Sequence, residues 1–284
     1  MKKITVIGST GMIGTPVTKE LINAGFEVTA LVRDINKAKQ IFPTGVKFVK
    51  GDLNDKTSII EALKNAEGLY INISTKPENK ESDFNPEIEG LDNILYAAKQ
   101  SNVKRVAFLS SLMARNYQGD WWVMSAKKQG ISKIKNAGIQ YTIFYPSNFM
   151  ENFNNGIMQR KKATIMGKPI YKAWWIAGED FGKQVAASFG TEKAINKDYP
   201  VQGLEGLNME EAATIYVKNY TKEKFTVSFA PMPIMKFLAL FIKPLKFVIQ
   251  LMAVMMNNKE TFEAQTTWDE LGNPTITLEK FANL

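Results

Sequence analysis

Along the first half of the chain, short apolar runs alternate with longer stretches whose apolar residues recur at helical spacing. Residues 4–7, 28–32, 46–49, 69–73, 106–109 and 141–145 are predicted strands. Residues 14–24, 56–64, 87–100 and 127–137 are predicted helices between them. Strand and helix in alternation predict an α/β fold, a doubly wound parallel sheet of the Rossmann type. Gly25, Gly68 and Gly138 follow helical runs, where a left-handed cap or tight turn is expected.

Beyond Pro146 the pattern becomes irregular, with Trp174-Trp175 and a predicted helix over 181–190. The expected organisation is a dinucleotide-binding domain over 1–150 and a smaller substrate-capping region over 151–284. The sequence has no Gly/Ser linker and no internal repeat, so the second part is expected to pack on the first. Residues 234–256 are the most hydrophobic stretch, but Lys236, Lys243, Pro244 and Lys246 divide it, and no apolar span of about 18 residues survives. Phe237, Leu238, Phe241 and Ile242 would share one helix face, continued by Leu245, Ile249 and Met252 after Pro244. Two helices covering the substrate side of the cleft are expected here, without a membrane role.

Composition removes whole classes of chemistry. The 284 residues include no cysteine and no histidine. Disulfides, thiolate nucleophiles, Cys/His zinc sites and histidine acid–base schemes are therefore excluded, and no metal site is expected. Proton handling falls to Lys, Tyr, Ser, Asp and Glu. The formal charge of +8 is spread along the chain. A diffuse basic surface of this kind attracts anionic cofactors, and no nucleic-acid partner is expected. Glycines and polar residues interrupt the apolar run after Met1-Lys2-Lys3 too early for a signal peptide, and a cytoplasmic protein is expected.

Gly8-Ser9-Thr10-Gly11-Met12-Ile13-Gly14 follows a predicted strand and opens a predicted helix, the context that makes a glycine pattern a dinucleotide fingerprint. Gly8 would permit the turn, Gly11 the close approach of a pyrophosphate, and Gly14 helix–strand packing. Free N–H groups at the helix start would face the phosphates. At the end of the second strand, where an NAD site usually places an acid about 20 residues further on, stands Arg33. A guanidinium pairs with a 2′-phosphate, so NADP(H) is the expected cofactor, with Lys37 as a second contact. Asp34 is read as a helix N-cap. Asp52, followed by Leu53, could accept a hydrogen bond from adenine, although a turn or cap aspartate would look the same. Ile73, Ser74 and Thr75 end the fourth strand and Ser110 the fifth, at the edge where such sheets bind ligands; ordinary strand-end residues would look alike.

The glycine loop, Val32-Arg33-Asp34, Gly51-Asp52-Leu53, Asn93 with Ala97-Ala98 before Val103-Lys104-Arg105-Val106, the segment from Tyr141-Thr142 through Pro146 to Phe149-Met150-Glu151-Asn152, and Leu271-Gly272-Asn273-Pro274-Thr275 resemble the NmrA-like atypical short-chain dehydrogenase/reductases. The resemblance implies an NADPH-dependent reductase acting by hydride transfer on a small, flat, apolar carbonyl or quinone compound. The family also includes redox sensors that bind the cofactor without turnover and act through a protein partner. It implies that Pro146, Asn148 and Phe149 lie over the nicotinamide and that Lys127 has a catalytic and cofactor-binding place; a solvated helix lysine is the plainer alternative. The Tyr-x-x-x-Lys pair of better-known relatives is absent, since Val123, Met124 and Gln129 stand four residues before Lys127, Lys128 and Lys133. Tyr145 stands where the family often has arginine. Tyr117 is a candidate substitute acid or a surface aromatic, and Trp121-Trp122 either line a pocket or pack.

Overall fold

The computed structural model describes residues 1–284, the side chain of Lys243 excepted. β1 (Lys3–Ile7), β2 (Glu27–Val32), β3 (Val46–Lys50), β4 (Gly68–Ile71), β5 (Arg105–Leu109) and β6 (Gln140–Pro146) fall where the apolar runs predict strands. After β6 come β7 (Asn148–Phe149), β8 (Met158–Gln159), β9 (Lys162–Met166), β10 (Ala173–Ile176), β11 (Lys197–Val201), β12 (Gly206–Leu207) and β13 (Thr226–Ala230). β11 joins the first six in a seven-stranded sheet ordered β11-β6-β5-β4-β1-β2-β3, every pair parallel. The order reverses at β1, between β4 and β2, and opens a crevice at the carboxyl edge there.

Both faces of this sheet are covered, which is why its inner strands β1, β4, β5 and β6 are largely apolar rather than alternating. In β4, Leu69 and Ile71 pack under α3 (Lys56–Ala62), α4 (Leu91–Gln100) and α6 (Trp122–Lys135), with Ile59, Ile94 and Ile134 in the same core. Tyr70, pointing the other way, packs with Val17 and Leu21 of α1 (Gly14–Asn23) and Phe181 and Val185 of α7 (Gly178–Gly190). The remaining early helices are α2 (Ile35–Ile41) and α5 (Leu112–Arg115).

Several sequence expectations shift. Gly68 does not cap a helix: it opens β4, where a Cβ would lie 2.7 Å from Ile4 and 2.8 Å from Phe189, and the turn before it is made by Asn65 at φ 65°. The helix predicted over 87–100 is a short π-helical turn, Pro86–Gly90, followed by α4. α6 starts five residues before the predicted position, at Trp122 rather than Lys127.

The later chain forms two three-stranded sheets, β12-β10-β7 and β13-β9-β8, with α8 (Met209–Asn219), α9 (Met232–Leu238), α10 (Lys243–Asn257), α11 (Gln265–Leu271) and α12 (Leu278–Ala282). Its core centres on Phe153, stacked on Tyr216 at 4.4 Å between ring centres, with Trp175, Ile276 and Leu278. α9 and α10 correct the expectation of a buried double cover. α10 packs onto Trp121 and Val123 through Phe247, Leu251 and Val254, whereas α9 buries no residue and Phe237, Leu238, Phe241 and Ile242 are exposed. α10 is anchored on the body, whereas α9 rests mainly on α10, with Met232 reaching Gly167.

Candidate functional site

The glycine loop leaves β1 at Gly8, whose φ of +88° favours glycine and where a Cβ would lie 1.9 Å from the Asn72 carbonyl oxygen. A Cβ on Gly14 would lie 1.9 Å from the Gly8 carbonyl oxygen. Both positions are demanded by the chain's own packing. Gly11 is not: a Cβ there meets only the Gly8 oxygen, at 3.3 Å. Its glycine keeps the loop surface low where a ligand would sit. α1 then starts with no side-chain cap and no acidic residue in its first turn, leaving its positive pole open. Ile13 is buried in the core, Met12 is exposed, and Ser9 is buried with an Oγ that lacks a partner among the described residues.

A cleft of about 350 Å³ opens beside the loop, lined by Gly8, Thr10, Arg33, Asp52, Leu53, Ile73 and Ser74 among others. Residues drawn from four strand ends thus meet at the reversal of strand order. Leu53 is fixed from beneath by Asn93, whose Nδ2 donates to its carbonyl at 2.8 Å. Asp34 accepts from the N–H groups of Asn36 and Lys37 at 2.9 and 3.1 Å and caps α2. Lys37 is exposed and does not line the cleft. Lys76, on the loop after β4, does, and it is the lining cation that sequence reasoning missed. No spacing rule points to it, because it arrives on a loop that wraps back over the crevice.

Thr75 turns away from the cleft to a buried carboxylate. Glu87 Oε2 accepts from Thr75 N at 3.1 Å and from Thr75 Oγ1 at 2.7 Å, while Oε1 pairs with Lys127 Nζ. Glu87 itself is held by Asn85, whose side chain accepts from its N–H at 2.8 Å. Thr75, Glu87 and Lys127 are therefore one connected polar chain from the end of β4 to α6. Lys127 is not a freely solvated helix lysine: only 16% of its side chain is exposed.

Tyr117 lies elsewhere. Its hydroxyl accepts from Trp121 N at 3.0 Å, its carbonyl accepts from Lys128, and it borders a surface hollow with Ser125, Gln129 and Ser132. Trp121 packs edge-on against Phe247, 5.1 Å between ring centres, which makes it a packing aromatic. Tyr145 is fully buried, and burial together with the Asp198 carboxylate pushes its hydroxyl well above the ordinary phenol range. Neither tyrosine stands in the cleft.

On the far side of β5 and β6, Ser110 is buried with an Oγ that has no partner among the described residues, and Pro146 ends β6. Phe149 packs against Phe181, 5.4 Å between ring centres. Asn148 is nearly buried and lines a tight cavity of about 20 Å³ with Met113, Tyr171, Trp175, Met255 and Glu260. Glu260 accepts from Ser147 Oγ at 2.6 Å, and burial raises its pKa above the ordinary carboxylate value, against the lowering effect of Ser147 and Gln202. The C-terminal half of α10 does reach this cavity, through Met255. Among the described residues no cluster of acids could hold a metal.

The arrangement fits a nicotinamide dinucleotide. The open helix pole suits a pyrophosphate, Arg33 and Lys76 put two cations in the cleft wall, and the orphaned hydroxyls of Ser9 and Ser110 are unpaired buried donors of the kind a ligand satisfies.

Comparison with known proteins places the chain. The NmrA-like family model matches residues 1–281. A photosystem II assembly factor, Ycf39 of Guillardia theta, is 24% identical over 82% of this chain and 75% of its own length. An NAD(P)H azoreductase of Xenophilus azovorans is 25% identical over 74% of this chain and 71% of its own. The NADPH-dependent quinone oxidoreductase QOR2 of Escherichia coli, solved with NADPH, superposes with a TM-score of 0.77 at 20% identity, covering 98% of both chains. With the glycine loop, the reversed strand order and the cleft between them, the match over nearly the whole length identifies the chain as a member of the NmrA-like family.

Proposed function

We propose that the protein is an NADPH-dependent reductase of small, flat carbonyl or quinone compounds. The observation that carries this reading is the pair Arg33 and Lys76 in the wall of the cleft that opens from the glycine loop. The backbone from Gly8 to Gly14 and the N-terminus of α1 would hold the pyrophosphate, and Arg33 with Lys76 the 2′-phosphate. Asp52 and Leu53 would border the adenine, and Ile73, Ser74 and Ser110 the path toward the nicotinamide, with Pro146, Asn148 and Phe149 over it. When bound, the cofactor supplies hydride from nicotinamide C4. Lys127, oriented by Glu87, would offer its Nζ as a hydrogen-bond donor to negative charge that develops on a substrate oxygen. A quinone takes its proton from water more readily, so the missing tyrosine does not exclude turnover. Support comes also from the azoreductase relative and the quinone-reductase fold.

Titration of NADPH and NADH into the protein and into Arg33→Glu tests the cofactor assignment. NADPH should bind at least several-fold more tightly, and the charge reversal should narrow or invert the preference, because a charge-assisted pair to phosphate is worth up to about 3 kcal/mol. Equal affinity for the two cofactors in the unaltered protein refutes the assignment.

A second reading has its own observation. The cavity beside Asn148, at about 20 Å³, is far below the roughly 300–1,000 Å³ of an open small-molecule site. A protein that binds NADP(H) and reports its redox state to a protein partner needs no larger one. NADPH that stays unconsumed against a panel of quinones and enals, in a protein that binds it, selects this reading.

A further inference from the structure

We propose that the α9–α10 hairpin docks the protein on the surface of an anionic lipid bilayer. α9 buries no residue, and its apolar side chains form a convex knob with those of the turn that follows. Phe237, Leu240 and Phe241 are 62%, 76% and 75% exposed, with Ile234 and Ile242 beside them. The rings of Phe237 and Phe241 meet edge-on at 5.6 Å, so the knob is one continuous surface. Exposed apolar groups on this scale need a partner.

Charge says which partner. From residue 231 to residue 258 the sequence contains three lysines, Lys236, Lys243 and Lys246, and no aspartate or glutamate. Lys236 and Lys246 are exposed. An apolar hairpin whose own charged residues are all lysines matches the order of a bilayer, acyl chains behind a layer of phosphates. A symmetric contact between two copies would instead press like charges together around the knob. α9 has seven residues, about 10 Å of helix, enough to enter the headgroup boundary and no further. Among the described helices none is long and apolar enough to cross a membrane. α10 is fixed to the body through Phe247 and Leu251, and α9 packs against α10. The expectation that this segment has no membrane role is the one this proposal replaces.

The experiment is co-flotation of the intact protein with phosphatidylcholine vesicles, with and without phosphatidylglycerol, at low and high salt. Binding should require phosphatidylglycerol and weaken with salt. The double substitution Phe237→Ser with Phe241→Ser should reduce it roughly tenfold or more while leaving NADPH affinity and the melting temperature unchanged. Lys236→Glu with Lys246→Glu should abolish the preference for anionic vesicles. Absence of vesicle binding, or binding that both double variants retain, overturns the proposal. So does self-association lost in the phenylalanine variant without any vesicle binding, which would assign the knob to a second copy.

Discussion

Glu87 takes two contacts from Thr75 on one oxygen and pairs with Lys127 on the other, and with 2% of its side chain exposed it has no water to fall back on. Removing either partner leaves a buried charge without its match. In Lys127→Ala, NADPH should still bind within a few-fold, since the cleft residues are untouched. Turnover should fall about a hundredfold or more for substrates whose developing oxyanion must be stabilised or protonated, and less for quinones. Glu87→Gln keeps the Thr75 contacts and loses the ionic one, and should lower turnover in the same direction by a smaller factor. Steady-state rates of both variants with a carbonyl and a quinone substrate check this. Unchanged turnover in Lys127→Ala for every accepted substrate would make Lys127 a packing residue. The family resemblance pointed to Lys127, but nothing in the sequence pointed to its ion-pair partner Glu87. It lies 12 residues from Thr75 and 40 from Lys127, separations that no helix or strand period relates.

At the scale of an element, α7 is capped by a residue 27 positions earlier. Gly178 N donates to Glu151 Oε1 at 2.7 Å, and the other carboxylate oxygen is buried without a partner among the described residues. A Cβ on Gly178 would lie 2.7 Å from both Glu151 Oε1 and Pro16, so glycine suits the fit. Burial outweighs the two backbone hydrogen bonds and lifts Glu151 to about 7 from an ordinary value of 4.5. A carboxyl raised in the folded state stabilises below its unfolded pKa, and that contribution is lost as pH rises through the folded one. The loss should therefore fall between about pH 4.5 and 7 and amount to at most about 3 kcal/mol. Glu151→Gln, which can still accept from Gly178, should flatten the melting temperature over this window and melt higher than the unaltered protein above pH 7. A melting curve in which both proteins keep the same pH dependence would contradict this account of the cap.

The same scale shows why some elements were readable and others were not. Of the six early strands, β1, β2, β4, β5 and β6 lie inside the sheet, covered on both faces, and their largely apolar runs say so. β11 reads Lys-Asp-Tyr-Pro-Val and carries Pro200, which a central strand would not tolerate. As an edge strand it has one neighbour, β6, and a proline fits there, but the sequence offers neither apolar continuity nor alternation to mark it. α9 misled for the opposite reason: its apolar stripe is real, and only the fold shows that nothing in the chain covers it.

Over the whole molecule, the late chain completes the early sheet rather than hanging from it. Asp180 on α7 accepts from the N–H groups of Thr275 and Ile276, each at 2.8 Å, and Gln184 donates to the Gly272 carbonyl at 2.9 Å. Trp268 donates to the Gln202 carbonyl at 3.1 Å, just beyond β11. The Leu271-Gly272-Asn273-Pro274-Thr275 segment is thereby bound to α7, which itself covers the glycine loop's helix through Val17, Leu21, Phe181 and Val185. That Gly8, Arg33, Asp52 and Ile73 meet at one cleft was legible because they sit at fixed offsets from strand ends. The region beside Asn148 was not, because it is assembled from Met113, Tyr171, Trp175, Met255 and Glu260, far apart in sequence. The most direct measurement is a single-turnover reaction in which the protein loaded with NADPH is mixed with a small quinone and nicotinamide absorbance is followed together with quinol formed. The expected result is a loss of reduced nicotinamide equal to the quinol produced, absent without protein; NADPH that remains bound and reduced while no quinol forms would contradict the assignment as a reductase.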